Sequence, residues 1–173
     1  MTPSEGTLSG LRIAILGSRG YPSTYGGFET AVRHIAPYLR DRGAAVTVYG
    51  RDRPSGGRSI DGIRVVNTSG VSTTSLSTLT HGMTAAIHAF RQRFDAILVL
   101  NIANGFFLPI MSARGAVTLL NVDGMEWERA KWNTLARRVF RAGGALSARW
   151  ADELIADSVE IARRWESLHG RPL

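Results

Sequence analysis

Tyr25-Gly26-Gly27-Phe28-Glu29-Thr30 joins an apolar run, Leu11 to Gly17, to a helical pattern that begins near Phe28, and this junction constrains the fold more than any other stretch. Residues 11–17 read as a buried strand. Phe28, Ala31, Val32, Ile35, Ala36 and Leu39 follow the three-four spacing of a helix packed on one face, and Gly43 supplies its stop. Ala45 to Tyr49 is a second strand, so residues 11–49 form a β-α-β unit, which the handedness rule makes a right-handed parallel crossover. At the turn, Gly26 and Gly27 let a ligand approach the backbone with no Cβ in the way, and the unpaired N–H groups of the helix start favour an anion. The plainer alternative is that the two glycines only make a tight turn.

The same alternation continues along the chain. Gly50 to Gly62, rich in Arg, Gly and Ser, reads as a loop, and Ile63-Arg64-Val65-Val66 as a third short strand. Ser69 to Thr80 is mostly Ser and Thr and reads as a loop before a helix carrying Met83, Ile87, Ala89, Phe90 and Phe94. Asp95 to Leu100, Ala116 to Asn121 and Glu153 to Ala156 are further strands, the last two separated by a long Arg-rich helical stretch. Six strands alternating with helices predict a Rossmann-like, doubly wound α/β fold, with a mainly parallel sheet and helices on both faces. A length of 173 residues and 44% hydrophobic composition suit one domain. We expect residues 1–10 to be a flexible segment and 11–173 to be the folded unit.

Several function classes are excluded or disfavoured. No apolar stretch approaches the roughly 20 residues that span a bilayer, and residues 1–10 show no hydrophobic signal core, so a cytoplasmic chain is expected. With no cysteine there is no disulfide framework and no thiolate metal site. His34, His81, His88 and His169 show no metal-ligand spacing, so no metal is expected. Gly17-Ser18-Arg19-Gly20 is G-x-x-G rather than the dinucleotide fingerprint, and no P-loop sequence occurs. The net charge of +7 is carried almost wholly by arginine, Lys131 being the single lysine. The arginines are dispersed and no nucleic-acid-binding motif accompanies them, so nucleic acid is not an expected partner.

Asp123 and Glu126 follow the fifth strand at its carboxyl end, where open α/β sheets place ligand groups. A carboxylate at Asp123 suits accepting hydrogen bonds from hydroxyl groups of a ligand, and Glu126 or Lys131 suits orienting one. The structural alternative makes Asp123-Gly124 a turn and Glu126 a cap of the following helix. On a helix over 134–150, Leu135, Val139, Ala142, Leu146 and Trp150 share one face beside Arg138, Arg141 and Arg149. Such a face either packs on the sheet or rests peripherally on anionic lipid at the inner side of a membrane. Gly143-Gly144 weakens that helix by roughly 1 kcal/mol per glycine relative to alanine.

Three segments carry a resemblance to a known family. Residues 16–51, from Leu16-Gly17-Ser18-Arg19-Gly20 through Tyr25-Gly26-Gly27-Phe28-Glu29-Thr30 to Gly50-Arg51, resemble the start of family 4 retaining glycosyltransferases, especially the rhamnosyltransferase-like subgroup. Asn121-Val122-Asp123-Gly124-Met125-Glu126-Trp127 through Trp132 is a second match and Ala151 to Ser158 a third. The resemblance implies one half of the two-domain GT-B architecture: an N-terminal, acceptor-side domain facing a C-terminal donor domain that this chain does not contain.

The resemblance also implies the substrates: a nucleotide-diphosphate sugar as donor, carrying rhamnose or another hexose, and a glycan or lipid-linked acceptor. It places Gly26 and Gly27 under the donor diphosphate and Asp123 as the catalytic-loop residue, where relatives often carry histidine. Arg19, Tyr25, Glu126 and Lys131 fall to the acceptor or sugar. Glu29 is open to a second role, serving the helix N-terminus electrostatically. The family's E-x7-E donor pair has no counterpart, since Glu153 and Glu160 are one residue too close. On this reading the chain is inactive by itself. The alternative is a stand-alone sugar- or nucleotide-binding module.

Overall fold

The computed structural model describes residues 7–22, 26–51, 56–71, 77–130 and 132–173. In chain order the elements are β1 (Arg12–Leu16), α1 (Gly27–Asp41), β2 (Ala45–Gly50), β3 (Gly56–Ile60), β4 (Ile63–Asn67), α2 (Ser77–Gln92), β5 (Ala96–Leu100), α3 (Leu108–Ser112), β6 (Val117–Val122), α4 (Thr134–Trp150), β7 (Glu153–Ala156) and α5 (Val159–His169). The seven strands form one sheet in the order β3-β4-β2-β1-β5-β6-β7. Only the β3–β4 pair is antiparallel; the other pairs are parallel. The fold is the expected Rossmann-like, doubly wound α/β arrangement. Leu8, within the segment expected to be flexible, is packed: its N–H donates to the Arg42 carbonyl at 2.9 Å and its side chain joins the core beside α1.

The two-residue period of the strands sorts their side chains into two cores. Ile13 and Ile15 of β1, with Val46, Val48, Ile63 and Val65, meet Val32 and Ala36 of α1. Ala14 and Leu16 point the other way, into a larger core with Ala86 of α2, Leu108, Met111, Phe140 of α4 and Trp165 of α5. Helices therefore cover both faces. Two aspartates tie neighbouring strands at their starts. The Arg12 amide donates to Asp95 Oδ2 at 2.7 Å. Asp152 Oδ2 accepts from the Thr118 amide and hydroxyl at 2.7 and 2.8 Å, which holds its carboxyl below the usual range.

The structure departs from the sequence reading in several places. The predicted loop 50–62 contains β3, a strand with a single apolar residue, Ile60, formed by hairpin pairing across Asp61-Gly62 to β4. The helix α2 begins at Ser77, so the Ser/Thr-rich segment supplies its first turn; residues 72–76 lie outside the described residues. A 3-10 helix over Ile102–Phe107 and the short α3 follow β5, and α5 follows the last strand.

The largest difference is on α4. Its buried face is Ala136, Phe140, Gly143, Gly144 and Ser147, while Leu135 and Trp150 of the predicted packing face are 70% and 39% exposed. Gly143 and Gly144 sit where that helix crosses its neighbours most closely. A Cβ on Gly143 would lie 2.6 Å from the Ile102 carbonyl oxygen, and one on Gly144 would lie 3.0 Å from the Trp127 ring.

Candidate functional site

The strand order reverses at β1, with β2 on one side and β5 on the other, and such a switch point leaves a crevice beyond the carboxyl ends of the strands. A cleft of about 950 Å³ lies there. It collects Gly17 and Arg19 after β1, Asn101 after β5, Asp123 after β6 and Asp157 after β7, with Gly27 from the start of α1. Its apolar part includes Ile35, Leu98, Ile155, Trp132 and Phe140.

The glycine-rich turn divides its labour. Gly17 (φ 99°) passes so close to β5 that a Cβ would collide with the Leu100 carbonyl oxygen. Gly26 (φ 114°) is the N-cap of α1, and its carbonyl accepts from the Thr30 amide and hydroxyl at 3.0 and 2.9 Å. A Cβ at Gly26 would meet the Glu29 carboxylate. Gly27, which lines the cleft, has nothing within 4 Å of its Cβ position. Gly26 therefore serves the turn, and Gly27 opens the helix start to the cleft.

Glu29 is buried and accepts from the Arg19 amide at 3.0 Å, so it clamps the loop after β1 onto the first turn of α1. Arg19 itself is exposed at the cleft. Its carbonyl accepts from the Arg51 amide at 3.0 Å, which brings two arginines to one wall. Burial, and then the neighbouring Arg19 guanidinium, lower the pKa of Arg51. One wall of the cleft thus combines two guanidinium groups with the amide end of a 15-residue helix, an arrangement that favours an anion, although the Glu29 carboxylate in the first turn offsets part of that positive charge.

The opposite character gathers past β6 and β7. Asp123 is 17% exposed, and Oδ1 has no hydrogen-bond partner among the described residues. Burial and the nearby Glu126 push its carboxyl up to about 6, against the pull of Arg129. Glu126 is more committed: Trp132 Nε1 donates to it at 2.9 Å, and Arg129 Nε sits 2.8 Å from Oε2. It does not cap α4, which is capped by Asn133 accepting from the Ala136 amide at 2.9 Å. Asp157 accepts from Asn121 Nδ2 at 2.7 Å.

Of the residues singled out in the sequence, Arg19, Gly27, Asp123 and Glu126 come together in this cleft. Gly26 stands beside it, and Tyr25 and Lys131 lie outside the described residues. Sequence reasoning missed Arg51, Asn101, Arg129 and Asp157 as part of the site. Asn101 carries the clearest signal after the fact, holding φ 74°, a conformation few non-glycine residues adopt, while its side chain accepts from the Ala103 amide at 2.9 Å. In the sequence, a polar residue directly after a buried strand was the available cue. Among the described residues no cluster of His, Asp or Glu could hold a metal ion.

Comparison with known proteins adds the following. A family model described as a glycosyl transferase 4-like domain matches residues 26–172. No curated protein matches the chain in sequence. Among solved structures, sucrose-phosphate synthase from Thermosynechococcus elongatus aligns with a TM-score of 0.59 at 13% identity, covering 84% of this chain and 47% of that one. An alpha,alpha-trehalose-phosphate synthase (UDP-forming) from Burkholderia vietnamiensis aligns at 0.56 and 10% identity, over 95% of this chain and 43% of that one. A trehalose-6-phosphate protein from E. coli, bound with UDP-2-fluoro glucose, gives 0.54 at 10% identity, over 89% and 41%. At these identities the likeness is one of fold. The chain spans less than half the length of each of these relatives.

Proposed function

The chain belongs to the family of glycosyl transferase 4-like domains, and from that premise we propose that it is the acceptor-side domain of a retaining transferase that uses a nucleotide-diphosphate sugar. The observation that carries this reading is a single cleft with two chemically distinct walls. Arg19, Arg51 and the open helix start at Gly27 suit phosphate oxygens. Asp123, whose carboxylate lines the cleft with Oδ1 buried and unpartnered among the described residues, suits hydroxyl groups. A sugar donor and its acceptor together present both chemistries.

In the reaction the bond between the anomeric carbon and the diphosphate oxygen breaks as the acceptor oxygen bonds to the same carbon from the same face. The acceptor proton passes to the departing diphosphate, which serves as the base. The charge that develops on the diphosphate is met by the Gly27 end of α1 and by the arginine wall. Those groups supply the positive charge, so the reading needs no metal. Asp123 orients a hydroxyl of donor or acceptor. Arg129, held by Glu126, sits beside Asp123, its Nη2 3.9 Å from Oδ2. The proposed donor sugar is rhamnose or another hexose, and the acceptor is a glycan or a lipid-linked sugar.

The test is Gly27→Val in the polypeptide as the cell makes it. Because the added side chain begins in open space, the fold should survive, with an unchanged melting curve. Transfer should fall about a hundredfold or more, the scale of losing one preorganised donor to a developing oxyanion. Transfer at the parental rate would remove the phosphate seat and favour a stand-alone sugar- or nucleotide-binding module.

A further inference from the structure

The helix α4 buries Ala136, Phe140 and the Gly143-Gly144 pair, and this choice of face leaves an apolar stripe uncovered. At 100° per residue, Leu135, Val139, Ala142, Leu146 and Trp150 fall within an arc of about 80° that lies to one side of the buried face. Leu135 is 70% exposed, Trp150 39%, and Ala142 is exposed as well, while Val139 and Leu146 between them are half-buried. Arg138 and Arg149 border the stripe on its far side, and both are exposed. The helix contains no acidic residue. None of its arginines takes part in an ion pair among the described residues. Four turns of helix thus offer apolar side chains, a terminal tryptophan and uncompensated cations on one solvent-facing side.

We propose that this face of α4 rests on an anionic lipid surface, with the helix axis in the plane of the membrane. The charge selects the occupant. A second copy of the chain would bring like-charged arginines together, whereas anionic headgroups neutralise them while the apolar stripe enters the acyl boundary. Tryptophan is the side chain best suited to the interface itself. The geometry also gives the contact a use. Phe140, from the adjoining face of the same helix, and Trp132, just before it, both line the cleft, so a membrane under α4 lies next to the cleft. The inference stands on the exposed face of α4 and holds whether or not the chain transfers sugars.

The test is co-sedimentation of the full chain with vesicles of phosphatidylcholine alone and of phosphatidylcholine with phosphatidylglycerol. Binding should occur to the anionic vesicles only and weaken at high salt. Leu135→Glu should lower the partition coefficient about tenfold or more, and Arg138→Gln with Arg149→Gln about fivefold per arginine. All three positions are exposed, and circular dichroism verifies that the variants keep the fold. Equal or absent binding to the two vesicle types by folded protein would overturn the proposal. So would binding indifferent to all three substitutions. A dimer seen by light scattering and abolished by Leu135→Glu would overturn it too, by assigning the stripe to a second copy of the chain.

Discussion

Asp123, the residue proposed to meet a substrate hydroxyl, can be told from a structural residue at the scale of a single side chain. Its carboxyl, raised from the ordinary 3.8 to about 6 chiefly by burial, is ionised at neutral pH at the expense of the folded state. Below the unfolded-state value both states are protonated and the penalty is absent; as pH climbs through 6 the native protein must lose a proton it holds more tightly than the unfolded chain, and stability falls. Asp123→Asn removes that cost. The variant should therefore be more stable than the parent at pH 7 to 8, by on the order of 1–3 kcal/mol, and the difference should vanish near pH 4. Function should move the opposite way: acceptor-dependent transfer in the parent should rise with a midpoint near pH 6, and the variant should lose that limb. Thermal melts across pH, paired with rate profiles, check both. A variant less stable than the parent at every pH would make Asp123 a fold residue instead. By contrast, Glu126 is buried at 5% exposure but spends its oxygens on Trp132 and Arg129, and its removal should damage the loop before it touches chemistry.

Among the elements, α4 carries the clearest lesson, because the same glycines that lower its helix propensity let it reach its neighbours. Ser147 Oγ donates to the Gly143 carbonyl at 2.7 Å and approaches the Ile102 carbonyl at 3.3 Å, which ties the helix to the 3-10 segment after β5. Gly143→Ala gains about 1 kcal/mol of helix propensity but puts a methyl group 2.6 Å from a backbone oxygen that cannot turn aside. Overpacking outweighs propensity here, and a net loss of about 1–3 kcal/mol is expected in chemical denaturation. Gly144→Ala should cost less, since its new contact at 3.0 Å is with the Trp127 ring edge. Equal or higher stability for Gly143→Ala would mean that the helix can slide off its neighbour. The strands and α1 were legible because their apolar spacing repeats with the period of the element. The strand β3 was not, since Gly56-Gly57-Arg58-Ser59 carries no apolar alternation and is held by pairing to β4 alone. The packed side of α4 was misread because its burial rests on small residues, Ala136, Gly143, Gly144 and Ser147, which a hydrophobicity pattern passes over.

For the whole molecule, the candidate site exists only through the order of the strands. Arg19, Asn101, Asp123 and Asp157 are spread over 138 positions of sequence, yet each stands just past a parallel strand, and the sequence β1-β5-β6-β7 in the sheet sets them along one edge. Asp123 could be picked out beforehand from its place after a strand together with the resemblance carried by residues 121–132; Arg51 and Asp157 also stand directly after strands, but nothing else local distinguishes them from other polar residues there. The same topology bears on what the chain can do by itself. Transfer to a sugar rather than to water requires that water be kept from the reacting carbon and that the diphosphate be gripped from more than one side. Here the cleft of about 950 Å³ is lined along one sheet edge, by the start of α1 and, past β6, by Trp132 and Phe140, and on its open side Ile155 remains 40% exposed. On the proposed reading, the arginine wall and the Gly27 helix start bind an anion without enclosing a reacting pair. Residues 1–173 by themselves should therefore bind a nucleotide-diphosphate sugar measurably by calorimetry, with affinity that falls as salt rises, and yet give no detectable sugar transfer. Robust turnover by the purified chain would show that this one domain closes its own site, and the acceptor-side reading would give way to a complete single-domain transferase.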